Sequence, residues 1–315
     1  MTAETPSLNR HELDAVTSSA PRYVLITPAR NEEAFLEETI KSVVSQTVLP
    51  LRWVIVSDGS TDRTNEIASG YARQYEWIDF VPLPSRQERN FAGKVNAFKA
   101  GYDRVRSLSY SFIGSLDADL SFDSGYFEFL LGKLAADPQL GLAGTPFREG
   151  TAQYDFRFTS REHVSGACQL FRRECFEQVG GYVPLKGGGI DLVAVVTARM
   201  KGWKTRTFTE KFSVHHRPMG SAKHRRLVMT FRDGYYDYPL GVHPLYKLLS
   251  SIYRIRQKPF GIAALFHLSG YLWAMLSGAH RPVSLDFVRF RRKEQMRWLK
   301  EKACRVVRGK SMAAG

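Results

Sequence analysis

The chain has 315 residues, 43% hydrophobic and 24% charged, with a net charge of +14. This is an ordinary globular composition, long enough for one large domain or two small ones with a sizeable core. Cys168, Cys175 and Cys304 cannot complete a disulfide set and lack zinc-site spacing, so a disulfide framework is excluded and a reducing compartment is expected.

The charge is unevenly placed. Residues 1–198 carry 20 Lys+Arg and 25 Asp+Glu, whereas residues 199–315 carry 25 and 6. A roughly neutral globular part is therefore followed by a basic part that meets something anionic. Met1 to Pro21 is polar and has no apolar centre, so residues 1–21 read as a flexible leader and not as a secretory signal.

From Tyr23 to Thr145, short apolar runs alternate with helical patterns. Strands are predicted at Tyr23–Thr27, Trp53–Ser57, Ile78–Val81, Ser111–Leu116 and Leu140–Thr145. Between the first two, Leu36, Ile40, Val43 and Val44 recur at a 3.6-residue period and predict a helix. Further helices are predicted over Thr61–Gln74, Ala92–Arg104 and Ser124–Ala136. Apolar strands with covering helices imply an α/β fold, Rossmann-like, with a mainly parallel sheet and helices on both faces. Ligands collect beyond the carboxyl ends of such strands. From Thr151 onward the pattern loosens, with a strand-like run at Ala167–Phe171, a helix from Asp191 to Lys201, and strand-like runs at Thr205–Phe208 and Phe212–His215.

Beyond Pro239, Phe260–Leu276 is strongly apolar, broken only by Gly261, His267, Ser269 and Gly270. It is short of the ~20 residues of a spanning helix. Basic residues stand on both sides, Arg254, Arg256 and Lys258 before and Arg281, Arg289, Arg291, Arg292 and Lys293 after, and give no orientation bias. A membrane-associated helix over 259–279, interfacial or re-entrant, is the expectation.

The chemistry-bearing residues follow the strands. Asp117-Ala118-Asp119 succeeds Ser111–Leu116; in an extended segment both carboxylates point to one side and can approach one cation. Oxygen-rich sites of this kind suit Mg²⁺ or Mn²⁺. Such an ion would neutralise charge developing on a diphosphate leaving group. In isolation the motif is weak, and helix capping is the plain alternative. The first strand ends in Thr27-Pro28-Ala29-Arg30-Asn31-Glu32 and the second in Ser57-Asp58-Gly59-Ser60-Thr61-Asp62, polar loops where a base and ribose could sit. Capping accounts for Asp62. Gly93-Lys94 opens a helix and could offer phosphate a cation and an amide. Arg172 and Arg173 are candidates for a phosphate contact or for plain surface placement.

At this point the chain resembles the family 2 glycosyltransferases, inverting enzymes with the GT-A fold. The segments that carry the resemblance are VLITPARNEE, VIVSDGSTDRT, AGKVNAFKAG, IGSLDADLSFD, GACQLFRRECFEQVGGY and GGIDLVAVVTARMKGWK, across about residues 22–217. The resemblance implies a GT-A catalytic domain with a donor half over about 22–145 and an acceptor half over about 146–217. Residues 218–315 follow as a basic, partly apolar helical extension. It implies nucleoside contacts at Thr27, Pro28, Arg30, Glu32 and Asp58, diphosphate and metal binding by Asp117 and Asp119, and a catalytic base at Asp191. His215 or His216 would complete the metal site. Two positions depart from the family pattern: Ile190 stands where the family has Glu before the base, and Ser57 where it has the first Asp of Asp-Asp-Gly-Ser. Gln295, Arg297 and Trp298 are similar to the Gln-x-x-Arg-Trp signature of processive synthases but one residue short, which argues for single-sugar transfer.

The expected activity is transfer of one sugar from a metal-bound nucleotide-sugar, a UDP-sugar, to a hydroxyl of a lipid-linked or polysaccharide precursor, with inversion. The expected cofactor is Mg²⁺ or Mn²⁺. The expected place is cytoplasmic, peripheral or monotopic on the inner face of the plasma membrane, where an anionic surface attracts the basic region. No nucleic-acid partner is expected. Two other readings stand open at this stage: a nucleotidyltransferase, and a degenerate sugar-nucleotide-binding protein without turnover, the latter motivated by Ile190.

Overall fold

A computed structural model of the chain describes residues 21–85, 91–150, 160–185, 187–217, 223–255 and 261–312. The leader expected over 1–21 lies outside these residues except for Pro21, as do the first two residues of the helix expected over 259–279. Four parallel strands, β1 (Tyr23–Ala29), β2 (Arg52–Asp58), β3 (Ile78–Leu83) and β4 (Phe112–Leu116), lie in the order β3-β2-β1-β4. The same seven-stranded sheet continues through β8 (Cys168–Arg172), β6 (Leu140–Gly144) and β9 (Lys204–Thr207). Strand β8 is antiparallel to both neighbours, and β9 is parallel to β6. The sheet is mainly parallel, as the sequence implies, with β8 the one reversed strand. The five strands expected between Tyr23 and Thr145 all form.

Alternation along the strands divides the core. Tyr23, Leu25, Trp53 and Ile55 point to one face, where α1 (Leu36–Val44), α2 (Thr64–Gln74) and α4 (Tyr126–Ala136) cover them. Val24, Ile26, Val54 and Val56 point to the other, under α3 (Phe91–Val105), α5 (Arg173–Val179) and α6 (Ile190–Met200). Two-sided burial is why these strands read as continuous apolar runs. In sheets of this kind ligands collect at the loops beyond the carboxyl ends of the strands.

A second sheet, of three very short strands, was not foreseen as a sheet. It orders β5 (Leu120–Ser121), β10 (Ser213–His215) and β7 (Phe147–Arg148). Leu120 pairs with His215, which fixes a late segment of the chain beside Asp119.

The C-terminal part is helical: α7 (Lys223–Asp237), α8 (Pro244–Arg254), α9 (Ile262–Leu276) and α10 (Leu285–Met312). Helices α7 and α9 cross in backbone contact: a Cβ on Gly234 would fall 2.0 Å from His267 O, and one on Gly270 2.0 Å from Phe231 O. Only glycine permits that approach. Leu240 and Phe287 join Val95, Leu185, Ile190, Val193 and Val196 in a third apolar cluster, which ties this part to the α/β part of the chain. No helix among the described residues is long and apolar enough to cross a membrane.

Candidate active site

Residues 117–119 occupy the turn between β4 and β5. They lie outside both strands, so strand alternation does not set where the two carboxylates point; each has its own polar partners, and both act on Lys94. Asp117 accepts a hydrogen bond from Lys94 Nζ, and its backbone N–H donates to Ala167 O (2.9 Å). Asp119 is buried, with Oδ2 lying 3.4 Å from His215 Nε2 and 3.6 Å from Arg217 Nε.

Burial pulls the Lys94 ammonium downward, but Asp117, Asp191 and Asp119 outweigh it and hold the pKa above the ordinary lysine value. Burial raises the Asp117 carboxyl, against the opposing charge of Lys94. The two are one coupled pair, and a lysine held protonated in a partly closed cavity is suited to meet anionic oxygen.

Asp191 sits in the first turn of α6. It lines one cavity of about 240 Å³ together with Lys94, Ser115, Asp117, Tyr182 and His215. The residues expected at the donor diphosphate and at the acceptor are thus walls of a single space. Gly166 lets Asp191 in: a Cβ there would lie 2.8 Å from Asp191 Cβ and 3.0 Å from Cγ. Ile190, beside it, is buried in the third apolar cluster. The hydrophobic residue where the family has Glu is therefore a packing contact to the C-terminal helices.

The strand-end loops are held as follows. Asp58 is buried, and its Oδ2 lies 3.8 Å from Arg30 Nη1. Glu32 accepts from Arg217 Nη2, which also donates to Asn31 O (3.1 Å). Pro28 is half-buried at the end of β1. Thr27 is fully buried and accepts from Trp53 Nε1 (2.9 Å). Its side chain belongs to the core, so a donor contact there could come only from the main chain. Ser57 Oγ lies 3.0 Å from Ser60 Oγ inside the turn. Asp62 accepts from the N–H groups of Thr64 (3.0 Å) and Glu33 (3.1 Å), the capping role expected of it.

Strand alternation separates the two histidines. His215 faces Asp119, whereas the His216 ring stacks on Phe35 and its Nε2 lies 2.8 Å from Ser121 Oγ. His216 is a structural residue. So are the two arginines after β8: Arg172 donates to Leu134 O (2.6 Å) and Leu140 O (3.3 Å), Arg173 to Leu108 O (2.8 Å) and Arg106 O (3.0 Å). The residue missed from the sequence is Arg217, which bridges the first loop and Asp119. Its position directly after His215-His216 was the one available signal.

No group of three His, Cys, Asp or Glu side chains that could hold a metal is present among the described residues. Asp119 and His215 nevertheless fit a hard divalent cation. His215 Nε2 is 3.4 Å from the Asp119 oxygen, while Nδ1, buried with no hydrogen-bond partner among the described residues, lies 4.0 Å from Glu149 Oε2 on the other side of the ring. Neighbouring ligands of an octahedral ion with bonds of about 2.1 Å stand about 3 Å apart. Mg²⁺ and Mn²⁺ sites commonly take one or two protein ligands and complete themselves with phosphate oxygens and water.

Comparison with known proteins bears on the family and the fold. The family model described as Glycosyl transferase family 2 matches residues 24–184. Poly-beta-1,6-N-acetyl-D-glucosamine synthase of Staphylococcus aureus (strain COL) is 28% identical over 142 residues, 45% of this chain and 31% of that protein. An uncharacterized glycosyltransferase of Bacillus subtilis (strain 168), EpsJ, is 32% identical over 127 residues, 40% of this chain and 34% of its own length. The chain thus matches about a third of the length of these curated relatives. Among solved structures, the mannosyltransferase PcManGT from Pyrobaculum calidifontis in complex with GDP-Man and Mn²⁺ superposes with a TM-score of 0.56 at 20% identity, covering 92% of this chain and 81% of that one. TarS 1-349 from S. aureus in complex with UDP-GlcNAc superposes with a TM-score of 0.52 at 14% identity, covering 86% of this chain and 78% of that one. At these identities the likeness shows the fold, and the fold is GT-A.

Proposed function

The chain belongs to glycosyl transferase family 2, and on that premise we propose that it transfers one hexosyl unit from a UDP-sugar to a hydroxyl of a lipid-linked or polysaccharide precursor, with inversion at the anomeric carbon. The observation that carries this reading is the single cavity of about 240 Å³ walled by Lys94, Asp117, Asp191 and His215. It is smaller than the ~300–1,000 Å³ of sites that enclose whole drug-sized ligands, so it suits a sugar ring with the nucleoside lying outside, along the loops of Arg30, Glu32 and Asp58. The UDP-GlcNAc bound to TarS supports a uridine donor, while the GDP-Man bound to PcManGT makes a guanosine donor the alternative that a comparison of the two donors separates.

In this reading Asp191 takes the proton of the acceptor hydroxyl. Inversion requires that hydroxyl to approach opposite the departing diphosphate, with a carboxylate in hydrogen-bond reach. Lys94 and Arg217 place positive charge against the diphosphate oxygens as the glycosidic bond breaks. Asp119 and His215 would hold Mg²⁺ or Mn²⁺, with Asp117 facing the donor. The ion, when bound, supplies Lewis-acid compensation of the leaving group's charge. The basic region over 218–315 favours an anionic membrane surface, which would place the protein on the inner face of the plasma membrane beside a lipid-linked acceptor.

The test is product analysis with UDP-sugar, Mn²⁺ and a panel of soluble saccharide acceptors. Wild-type protein is expected to release nucleoside diphosphate and form a glycoside, while Asp191→Asn binds donor but turns over at least about 10²-fold more slowly. Sugar 1-phosphate as the product, left behind by transfer of the uridylyl group, would indicate nucleotidyl transfer. Donor binding without turnover in any condition would indicate a binding protein.

A further inference from the structure

Helix α8 is built inside out. Its inward face is polar. Lys247 is fully buried; its Nζ donates to Asp237 Oδ2 (2.8 Å) and lies 2.9 Å from His267 Nδ1, and Ser251 is buried beside it. Its outward face is apolar: Leu245, Leu248, Leu249 and Ile252 recur at helical spacing and all are exposed, followed by exposed Ile255 just past the helix. The neighbouring α9 extends this surface. It contains no Asp, Glu, Lys or Arg, and Leu265, Trp273 and Leu276 are exposed to 65%, 62% and 80%. Its own inward face carries the small residues and His267 that meet α7 and α8.

Two adjacent helices with apolar outer faces are out of keeping with a water-facing surface, where contiguous apolar patches mark interaction sites. The chemistry of the surroundings selects the partner. Arg254 ends α8, Arg256 and Lys258 follow it in the sequence before α9, and Arg281 comes after α9. Pairing this face with a second copy would bring like charges together; an anionic lipid surface complements them. At 15 residues, α9 spans about 22 Å, short of a hydrocarbon core of about 30 Å. An apolar face on a helix too short to cross, with an exposed tryptophan, is suited to lie in the interfacial plane.

We propose that the outward faces of α8 and α9 together insert shallowly into an anionic lipid leaflet, so that apolar burial, and not charge alone, holds the protein on the membrane. This deepens the membrane reading given above and rests on it for the meaning of the surface as the place where a lipid-linked acceptor is met. It also replaces a single interfacial helix over 259–279 with a two-helix surface in which α8 contributes the more regular stripe.

The experiment is flotation of the full chain with vesicles of phosphatidylcholine and phosphatidylglycerol, at low salt and at about 0.5 M salt, where the Debye length falls to about 4 Å. The wild type is expected to float in both. Leu248→Glu with Ile252→Glu should lower vesicle partitioning about tenfold or more and leave turnover of a soluble acceptor unchanged. Complete release of the wild type by salt, or undiminished flotation of the double variant, overturns the proposal. A wild-type dimer that the double variant dissociates, with no flotation of either, overturns it in favour of a self-association face. Flotation with loss in the double variant, but no donor turnover by any form, upholds the docking surface and removes the transfer reading.

Discussion

Gly166→Ala is the substitution to which the site should be most sensitive for its size. The added methyl would lie 2.8 Å from Asp191 Cβ, 3.0 Å from Cγ and 3.1 Å from Oδ2, whereas carbon atoms rest at about 3.5–4.0 Å. Relief requires the Asp191 side chain to retreat by roughly 1 Å, because Cβ and Cγ cannot swing clear as a long side chain's tip would. A misplacement of about 1 Å at a reacting centre costs about 10²-fold in rate, close to 2.7 kcal/mol of barrier. The backbone carbonyl of Gly166, 3.5 Å from Lys94 Nζ, stays in place, so donor binding should be preserved. Steady-state release of nucleoside diphosphate measures kcat, and calorimetric titration with UDP-sugar measures Kd. The expected result is kcat down about 10²-fold with Kd changed less than about twofold. A fall in kcat of less than about threefold would refute the claim that the position of Asp191 sets the rate.

Three further outcomes are expected. Asp119→Ala should abolish the Mn²⁺-dependent rise in melting temperature on adding nucleoside diphosphate and lower kcat about 10²-fold or more; a retained metal-dependent shift would move the cation elsewhere. Ile190→Glu places a carboxyl in the cluster of Val95, Leu240 and Phe287 and should cost about 3 kcal/mol of stability or more in denaturant unfolding; full stability with raised activity would restore the acidic pair as the better arrangement. Asp237 lies in the junction of α7, α8 and α9. Burial works to raise its carboxyl, but the His267 hydrogen bond and the Lys247 charge outweigh it and lower the pKa to about 2. Against an ordinary value of about 3.9 this contributes about 2 kcal/mol above pH 4, lost as pH falls toward 2. Asp237→Asn should therefore be less stable by about that amount at pH 7, with the gap closing in acid; a gap constant from pH 7 to 2 would contradict the linkage.

The donor side of the fold was legible because its signals are local. Apolar runs such as Tyr23–Thr27 and Trp53–Ser57 followed by polar turns announce strands and their ends, and α1 shows its period in Leu36, Ile40 and Val43. What stayed hidden depends on contacts between distant residues. The three-stranded sheet is made of runs too short to show any period, and only its pairing of Leu120 with His215 brings His215 to Asp119. Thr27 and Asp58 look alike as polar residues at strand ends, yet Trp53 draws the Thr27 hydroxyl into the core. The stripe of Leu245, Leu248 and Ile252 is readable as amphipathic, but a pattern cannot say which side faces the protein. That is decided by the buried Lys247–Asp237 contact. Ile190, read from the sequence as a lost carboxylate, is a packing residue for helices that lie more than forty positions further on.

The most direct test of the account is a structure of the protein with an intact UDP-sugar and Mn²⁺. The account predicts the cation on Asp119 and His215, the sugar ring in the cavity between Lys94 and Asp191, and the anomeric carbon turned toward the Asp191 carboxylate. A sugar ring lying outside that cavity, with Asp191 facing no part of the donor, would contradict it.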